Sequence, residues 1–284
     1  MIMVQAAGCS DIGKIRQANE DCFLVDKPTG LYVVADGMGG HRGGEVASRI
    51  AIETLGAFMR TETSVSDGTD TFPPDGSPTN AASHLRQSIR LSNRKVYERS
   101  VSDQACKGMG TTVSALYLSG NAIITANVGD SPIYLIRNGE IENLYTPHTL
   151  LHDQTKIPKS MEGKISESKL GHILTRAVGI RSDVDVDIVE TPCFSDDIIV
   201  ICSDGLSGKI TRREIRDLVS QHNPETACKK LTNLANQRGG EDNITVIVVR
   251  VILSNGVVPK RPFNPLSGIA AWVKSLFKPG DSLK

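Results

Sequence analysis

The chain has 284 residues, 39% of them hydrophobic, with 32 Lys and Arg balanced by 32 Asp and Glu. That length can bury a sizeable core, in one large domain or two small ones, and one domain plus a tail is expected. Zero net charge gives no global source for the phosphate attraction that dominates nucleic-acid binding, so no nucleic-acid partner is expected. Six cysteines without a C-x-x-C pair read as buried free thiols of a reducing compartment. No charged leader precedes a long apolar stretch, and no run nears the ~18 residues of a membrane span, so the expected location is the cytoplasm, away from membranes.

Strand-like sequence starts directly after the first residues. Cys22 to Val25 and Leu31 to Val34 flank the turn-forming Asp26-Lys27-Pro28-Thr29-Gly30, and antiparallel pairing about that turn sets Glu20 and Asp21 opposite Asp36 and Gly37. Arg16, four residues before Glu20, reads as the start of the same strand. From Gly43 to Met59 apolar residues recur with helical spacing, with Gly39, Gly40, Gly43 and Gly44 permitting close backbone approach ahead of it. Residues 61 to 79 are rich in Thr, Ser, Asp, Gly and Pro and read as a flexible loop. A second helix follows on the stripe Leu85, Ile89, Ser92 and Val96; its basic residues Arg86, Arg90, Arg94 and Lys95 read as solvated surface.

Thr111 to Tyr145 predicts a meander of antiparallel strands, with Asp130-Ser131 at one hairpin tip and Asn138-Gly139 at another. Residues 146 to 183 lack a period and read as an irregular flap bordering the site. Strands are predicted at Val184 to Glu190, Asp197 to Cys202 and Ile244 to Ile252, with helices at Thr211 to Val219 and Pro224 to Gln237. Mostly antiparallel strands with interspersed helices give an α+β class. A catalytic domain over 1–253 is expected to precede a tail over 254–284. In the tail, Pro259, Pro262 and Pro265 stiffen a linker, and Ile269, Trp272, Val273, Leu276 and Phe277 share one helical face that must dock on its own domain or on a partner protein. A monomer is expected.

Four aspartates mark the ends of apolar strands: Asp36, Asp130, Asp204 and Asp242. Acids placed there are poor core residues and good ligands for a hard cation. Asp36 and Asp204 end their strands and Asp242 begins one, so adjacent antiparallel strands would bring all three to one rim, where Glu20 and Asp21 join them. The planar fork of Arg16 matches two phosphate oxygens. Other chemistries lack their residues: there is no C-x₅-R, no G-x-S-x-G and no G-x-x-x-x-G-K-[ST]. His148 and His152 have helical ligand spacing but lie in a Pro-interrupted stretch, and zinc ligation is not expected.

Seven ordered motifs carry a resemblance: Arg16-Gln-Ala-Asn-Glu20-Asp21, Asp36-Gly37-Met38-Gly39-Gly40, Gly108-Met109-Gly110-Thr111-Thr112, Val128-Gly129-Asp130-Ser131, Leu174-Thr175-Arg176-Ala177-Val178-Gly179, Cys202-Ser203-Asp204-Gly205-Leu206 and Glu241-Asp242-Asn243-Ile244-Thr245. Over about residues 5 to 252 the chain resembles the metal-dependent protein phosphatases, the PPM or type 2C family, in its bacterial branch. The resemblance implies two mainly antiparallel sheets packed face to face with helices outside, an αββα sandwich, and two Mg²⁺ or Mn²⁺ ions at one end. Asp36 would bridge both ions, Asp204 and Asp242 would complete one, and Glu20 with the Gly37 carbonyl the other. These acids would be catalytic by holding a metal-bridging hydroxide, Arg16 would bind substrate phosphate, and Asp21 and Asn243 would stand behind the ligands.

Three departures refine this. Asp130 matches the position that shares a third, weaker metal with Asp204, but Gly208 stands where an acid commonly completes that site and Pro132 replaces the usual Arg, so the third ion is expected to be weak or absent. Met38 stands where some relatives carry histidine, which leaves metal-bound water as the proton source; His41 lies nearby. The implied function is hydrolysis of phosphoserine and phosphothreonine in proteins, with a Ser/Thr kinase or its targets as partners. The alternatives are a catalytically silent scaffold that binds phosphoproteins, against which the intact acid set argues, and another metal-dependent hydrolase on the same fold.

Overall fold

The computed structural model describes residues 2–39, 43–61, 78–153, 155 and 170–253. The tail over 254–284, His41, Gly40, most of the 61–79 loop and part of the flap lie outside the described residues.

Two antiparallel sheets form the body. One runs β1 (Ile2–Asp11), β11 (Ile244–Leu253), β10 (Ile198–Cys202), β7 (Ile133–Arg137), β8 (Glu140–Asn143). The other runs β2 (Asp21–Asp26), β3 (Leu31–Met38), β5 (Val113–Ser119), β6 (Ala122–Val128), β9 (Asp187–Pro192), with the two-residue β4 (Gly110–Thr111) beside β3. Side chains alternate within each strand. Tyr32 and Val34 of β3 point into the inter-sheet core with Leu116, Ile133, Ile199, Ile201, Ile247 and Val249, whereas Leu31, Val33 and Ala35 pack under α1 (Gly43–Thr61) and α2 (Asn80–Ser102) against Leu55, Met59, Leu85 and Ile89. Across the sandwich, Ile198, Val200, Val246 and Val248 meet Ile215, Val219 and Leu231 of α4 (Arg212–Gln221) and α5 (Pro224–Gln237). Central strands covered on both faces are apolar at most positions, which is why they read as Val and Ile runs, and buried polar side chains on them such as Ser114, Thr125 and Asn127 are hydrogen-bonded. The αββα sandwich is as expected, and the caps are local: Thr211 with Glu214 forms a capping box on α4, and Asn223 accepts from Thr226 N–H ahead of Pro224.

Several expectations are corrected. Asp130-Ser131 is no hairpin tip: β6 pairs with β5 and β9 while β7 pairs with β10 and β8, so Gly129 to Pro132 carries the chain from one sheet to the other. Val184 and Val186 are buried ahead of a strand that begins at Asp187. Asp36 is not on a strand adjacent to those of Asp204 and Asp242; it reaches them across the sandwich from the other sheet. Arg16 lies in the irregular stretch between β1 and β2. A short helix not anticipated, α3 (Asp204–Ser207), starts at Asp204 itself. All six cysteines are free, and Cys9 and Cys22 are only half-buried. Among the described residues, no helix is long and apolar enough to cross a membrane.

Candidate active site

The hairpin register sets the first pair of acids: Asp21 stands opposite Asp36, and the Gly37 N–H donates to the Glu20 carbonyl at 3.2 Å. β10 delivers Asp204 and the start of β11 delivers Asp242 at the same end of the sandwich. Backbone must come very close here. A Cβ on Gly44 would sit 2.6 Å from Glu20 Oε1, and one on Gly37 would overlap the Gly44 carbonyl, so glycine is required at both.

Carboxylates so crowded resist ionisation. Burial pushes the Asp36 carboxyl well above the ordinary aspartate range, and Asp21, Asp204, Asp130 and Asp242 add repulsion. Burial also raises Asp21 to about 6 despite hydrogen bonds from Thr245 and Ser203, and raises Asp130 to about 7, with Asp204 reinforcing the shift. Asp204 is raised by burial and by Asp242, relieved in part by His172 and by a hydrogen bond with Asp36. Glu20 is raised by burial against the pull of Arg16. Arg16 Nη2 donates to Asp242 Oδ2 at 2.8 Å.

Five of the anticipated acids thus gather at one rim with Arg16 beside them: Glu20, Asp21, Asp36, Asp204 and Asp242. Asp130 adjoins them from the inter-sheet crossing through its interaction with Asp204. Asn243 is 4% exposed and binds the Arg16 stretch. Gly208 offers Asp130 no side chain.

Residues the sequence reading missed are also here. Ser203 Oγ donates to Asp21 Oδ2 at 2.8 Å and accepts the Thr245 N–H at 2.9 Å. Ser203 is buried directly after the apolar run of β10, and a hydroxyl there must find partners. His172 places Nδ1 3.8 Å from Asp204 Oδ2. His148 is a buried bridge: its Nδ1 accepts the Gly129 N–H at 3.0 Å, and its Nε2 lies 3.0 Å from Asp187 Oδ2, whose other oxygen takes Arg176 at 2.6 Å.

The sequence pattern of the family described as Protein phosphatase 2C matches residues 14–245. The chain belongs to the protein phosphatase 2C family. Among curated members of this family, the serine/threonine phosphatase stp of Listeria welshimeri is 32% identical over 244 residues, covering 84% of this chain and 93% of that protein. Protein phosphatase PhpP of Streptococcus pneumoniae is 31% identical over 246 residues, covering 84% and 94%. A solved structure of the catalytic domain of serine threonine protein phosphatase PstP, in complex with 2 manganese ions, superposes with a TM-score of 0.73 at 28% identity, covering 89% of this chain and all of that one.

This member of the 2C family has a donor set that fits a hard divalent cation. Glu20 Oε1 is buried without a hydrogen-bond partner, a costly arrangement that a cation would satisfy, and every acid offers hard oxygen. In the present arrangement Arg16 holds Asp242 while Asp36 and Asp204 share a hydrogen bond, and among the described residues no three His, Cys, Asp or Glu side chains close on one coordination point.

Proposed function

We propose that the chain is a metal-dependent phosphatase acting on phosphoserine and phosphothreonine in proteins. The observation that carries the reading is the gathering of Glu20, Asp21, Asp36, Asp204 and Asp242 at one rim of the sandwich with Arg16 beside them. Asp36, Asp204, Asp242, Glu20 and the Gly37 carbonyl would hold two Mg²⁺ or Mn²⁺ ions, and manganese in the PstP relative supports that choice. Bound there, such ions neutralise phosphoryl charge and activate water at neutral pH.

The protein's own groups do the rest. The carboxylates that stay ionised keep the site negative until cations arrive, so affinity for a phosphate dianion would be low without them. Arg16 supplies a planar fork for two phosphoryl oxygens and orients the ester. Ser203 and Thr245 hold the Asp21 carboxyl behind the ligands, fixing which oxygen faces the site. Met38 offers no proton, so the leaving alkoxide takes one from water.

A kinase-opposing role on bacterial phosphoproteins, a cytoplasmic location, a monomeric state and an appended tail over 254–284 complete the proposal. Hydrolysis of a phosphothreonine peptide with Mn²⁺, abolished by chelator, is the test. Peptide binding without turnover would instead favour the silent scaffold.

A further inference from the structure

Asn243 follows Asp242 directly, yet its side chain turns away from the acids toward a single stretch of chain. Its Nδ2 donates to the Ile12 carbonyl at 3.0 Å and to the Ala18 carbonyl at 3.0 Å, and its Oδ1 accepts the Glu20 N–H at 2.8 Å. Both amide hydrogens are used, and only this orientation of the amide satisfies all three partners. Ile12 and Glu20 bound the irregular segment between β1 and β2, and Arg16 is its midpoint.

Other contacts pin the same segment to the turn before β11. Lys14 N–H donates to the Gly240 carbonyl at 2.7 Å, and Gly13, at φ +81°, would place a Cβ 2.7 Å from that carbonyl and closer still to the Asp242 carbonyl. Asp11 Oδ1 accepts from Gly13 N–H at 2.8 Å and from Asn236 Nδ2 at 3.0 Å. Asn19 Nδ2 donates to Ser10 Oγ at 2.8 Å.

We propose that Asn243 is a positioning residue for Arg16: by clamping both ends of the segment it fixes where the guanidinium meets substrate phosphate. The proposal rests on Arg16 as the phosphate contact. A half-exposed arginine on an irregular segment has many orientations, whereas a two-point contact with phosphate tolerates few, so the clamp converts a flexible cation into an oriented one. Asn243→Ala leaves the Ile12 and Ala18 carbonyls and the Glu20 N–H without partners and lets the ends part.

The experiment is a double-mutant cycle at saturating Mn²⁺, reading competitive inhibition by inorganic phosphate together with KM and kcat for p-nitrophenyl phosphate. Arg16→Ala and Asn243→Ala should each weaken phosphate binding about tenfold and raise KM in step, with a smaller change in kcat. The double variant should bind phosphate no worse than Arg16→Ala alone, because a positioning residue has nothing left to position. Additive losses overturn the proposal, as does an Asn243→Ala enzyme with unaltered phosphate inhibition. In the latter case a persisting Arg16→Ala defect leaves the arginine assignment standing, whereas wild-type phosphate affinity in Arg16→Ala removes both. Should Asn243→Ala not fold, Gly13→Ala strains the neighbouring tether and must show the same non-additivity with Arg16→Ala, or the proposal falls.

Discussion

Asp21 and Asp36 face each other directly across the β2–β3 hairpin. Burial holds both carboxyls above the ordinary aspartate range, and neither acid can move away without breaking the register that the apolar positions impose. At neutral pH each raised carboxyl therefore costs stability, and part of that cost should be removable. Asp21→Asn keeps an oxygen to accept from Ser203 while deleting the charge. In chelator, thermal unfolding of this variant should occur a few degrees higher, on the scale of about 1 kcal/mol. The stabilisation gained on adding Mn²⁺ should be smaller than in wild type. A lower Tm in chelator would contradict this.

The raised carboxyls also set a pH dependence. A group whose folded pKa lies above its unfolded one keeps a proton that the open chain has already lost. Its stabilising contribution is full below the ordinary aspartate value of 3.8 and is lost as pH climbs through about 6 for Asp21 and about 7 for Asp130. Chelated protein should therefore lose more Tm between about pH 5 and about pH 8 than chelated Asp130→Asn. Equal losses in the two proteins would show that Asp130 does not carry a raised carboxyl.

Much of this was legible in the chain. The turn-forming residues and their flanking apolar runs place the hairpin, but Asp26 pairs with Leu31, so the turn is Lys27 to Gly30, and that shortening by one residue is what sets Asp21 opposite Asp36. The route of Val128 to Ile133 was not legible: Gly129-Asp130-Ser131-Pro132 looks the same whether it closes a hairpin or crosses between sheets, and strands buried on both faces give no alternation to decide. Arg16 was misplaced on a strand because its position depends on hydrogen bonds from Asn243, far along the sequence. The approach of His172 to Asp204 likewise comes from the fold of the flap and leaves no local trace.

His148 sits where flap, sheet crossing and β9 meet. Burial raises Asp187, but hydrogen bonds from His148 and Arg176 outweigh it and hold the carboxyl below its ordinary value. Asn127 Nδ2 ties the Gly129 carbonyl from the other side at 3.1 Å. His148→Ala deletes one buried and one half-buried hydrogen bond and strands the Gly129 N–H, which should cost about 2–3 kcal/mol by denaturant titration. The part that acts through Asp187 should fade as pH falls through that group's lowered pKa. A change below about 0.5 kcal/mol would show that the bridge is dispensable.

The third cation is the weakest of the expected ligands' tasks. Asp130 and Asp204 lack an acid at Gly208, whose ideal Cβ would stand 3.0 Å from the Asp204 carbonyl and so could be accommodated by a small shift. Calorimetric titration of wild type with Mn²⁺ should show two binding events, and Gly208→Asp should add a third of lower affinity. A tight third event in wild type that disappears in Asp130→Asn would contradict the reading.

In the proposed reading the acids at the sheet rim would hold the cations, and Asp36 would serve both. Equilibrium Mn²⁺ binding to Asp36→Asn, measured beside wild type by the loss of free-ion electron paramagnetic resonance, tests it most directly. Wild type should bind two ions, and Asp36→Asn, whose side chain is nearly the same size, should lose at least about tenfold in affinity for both. Unchanged binding of two ions by Asp36→Asn would contradict the account.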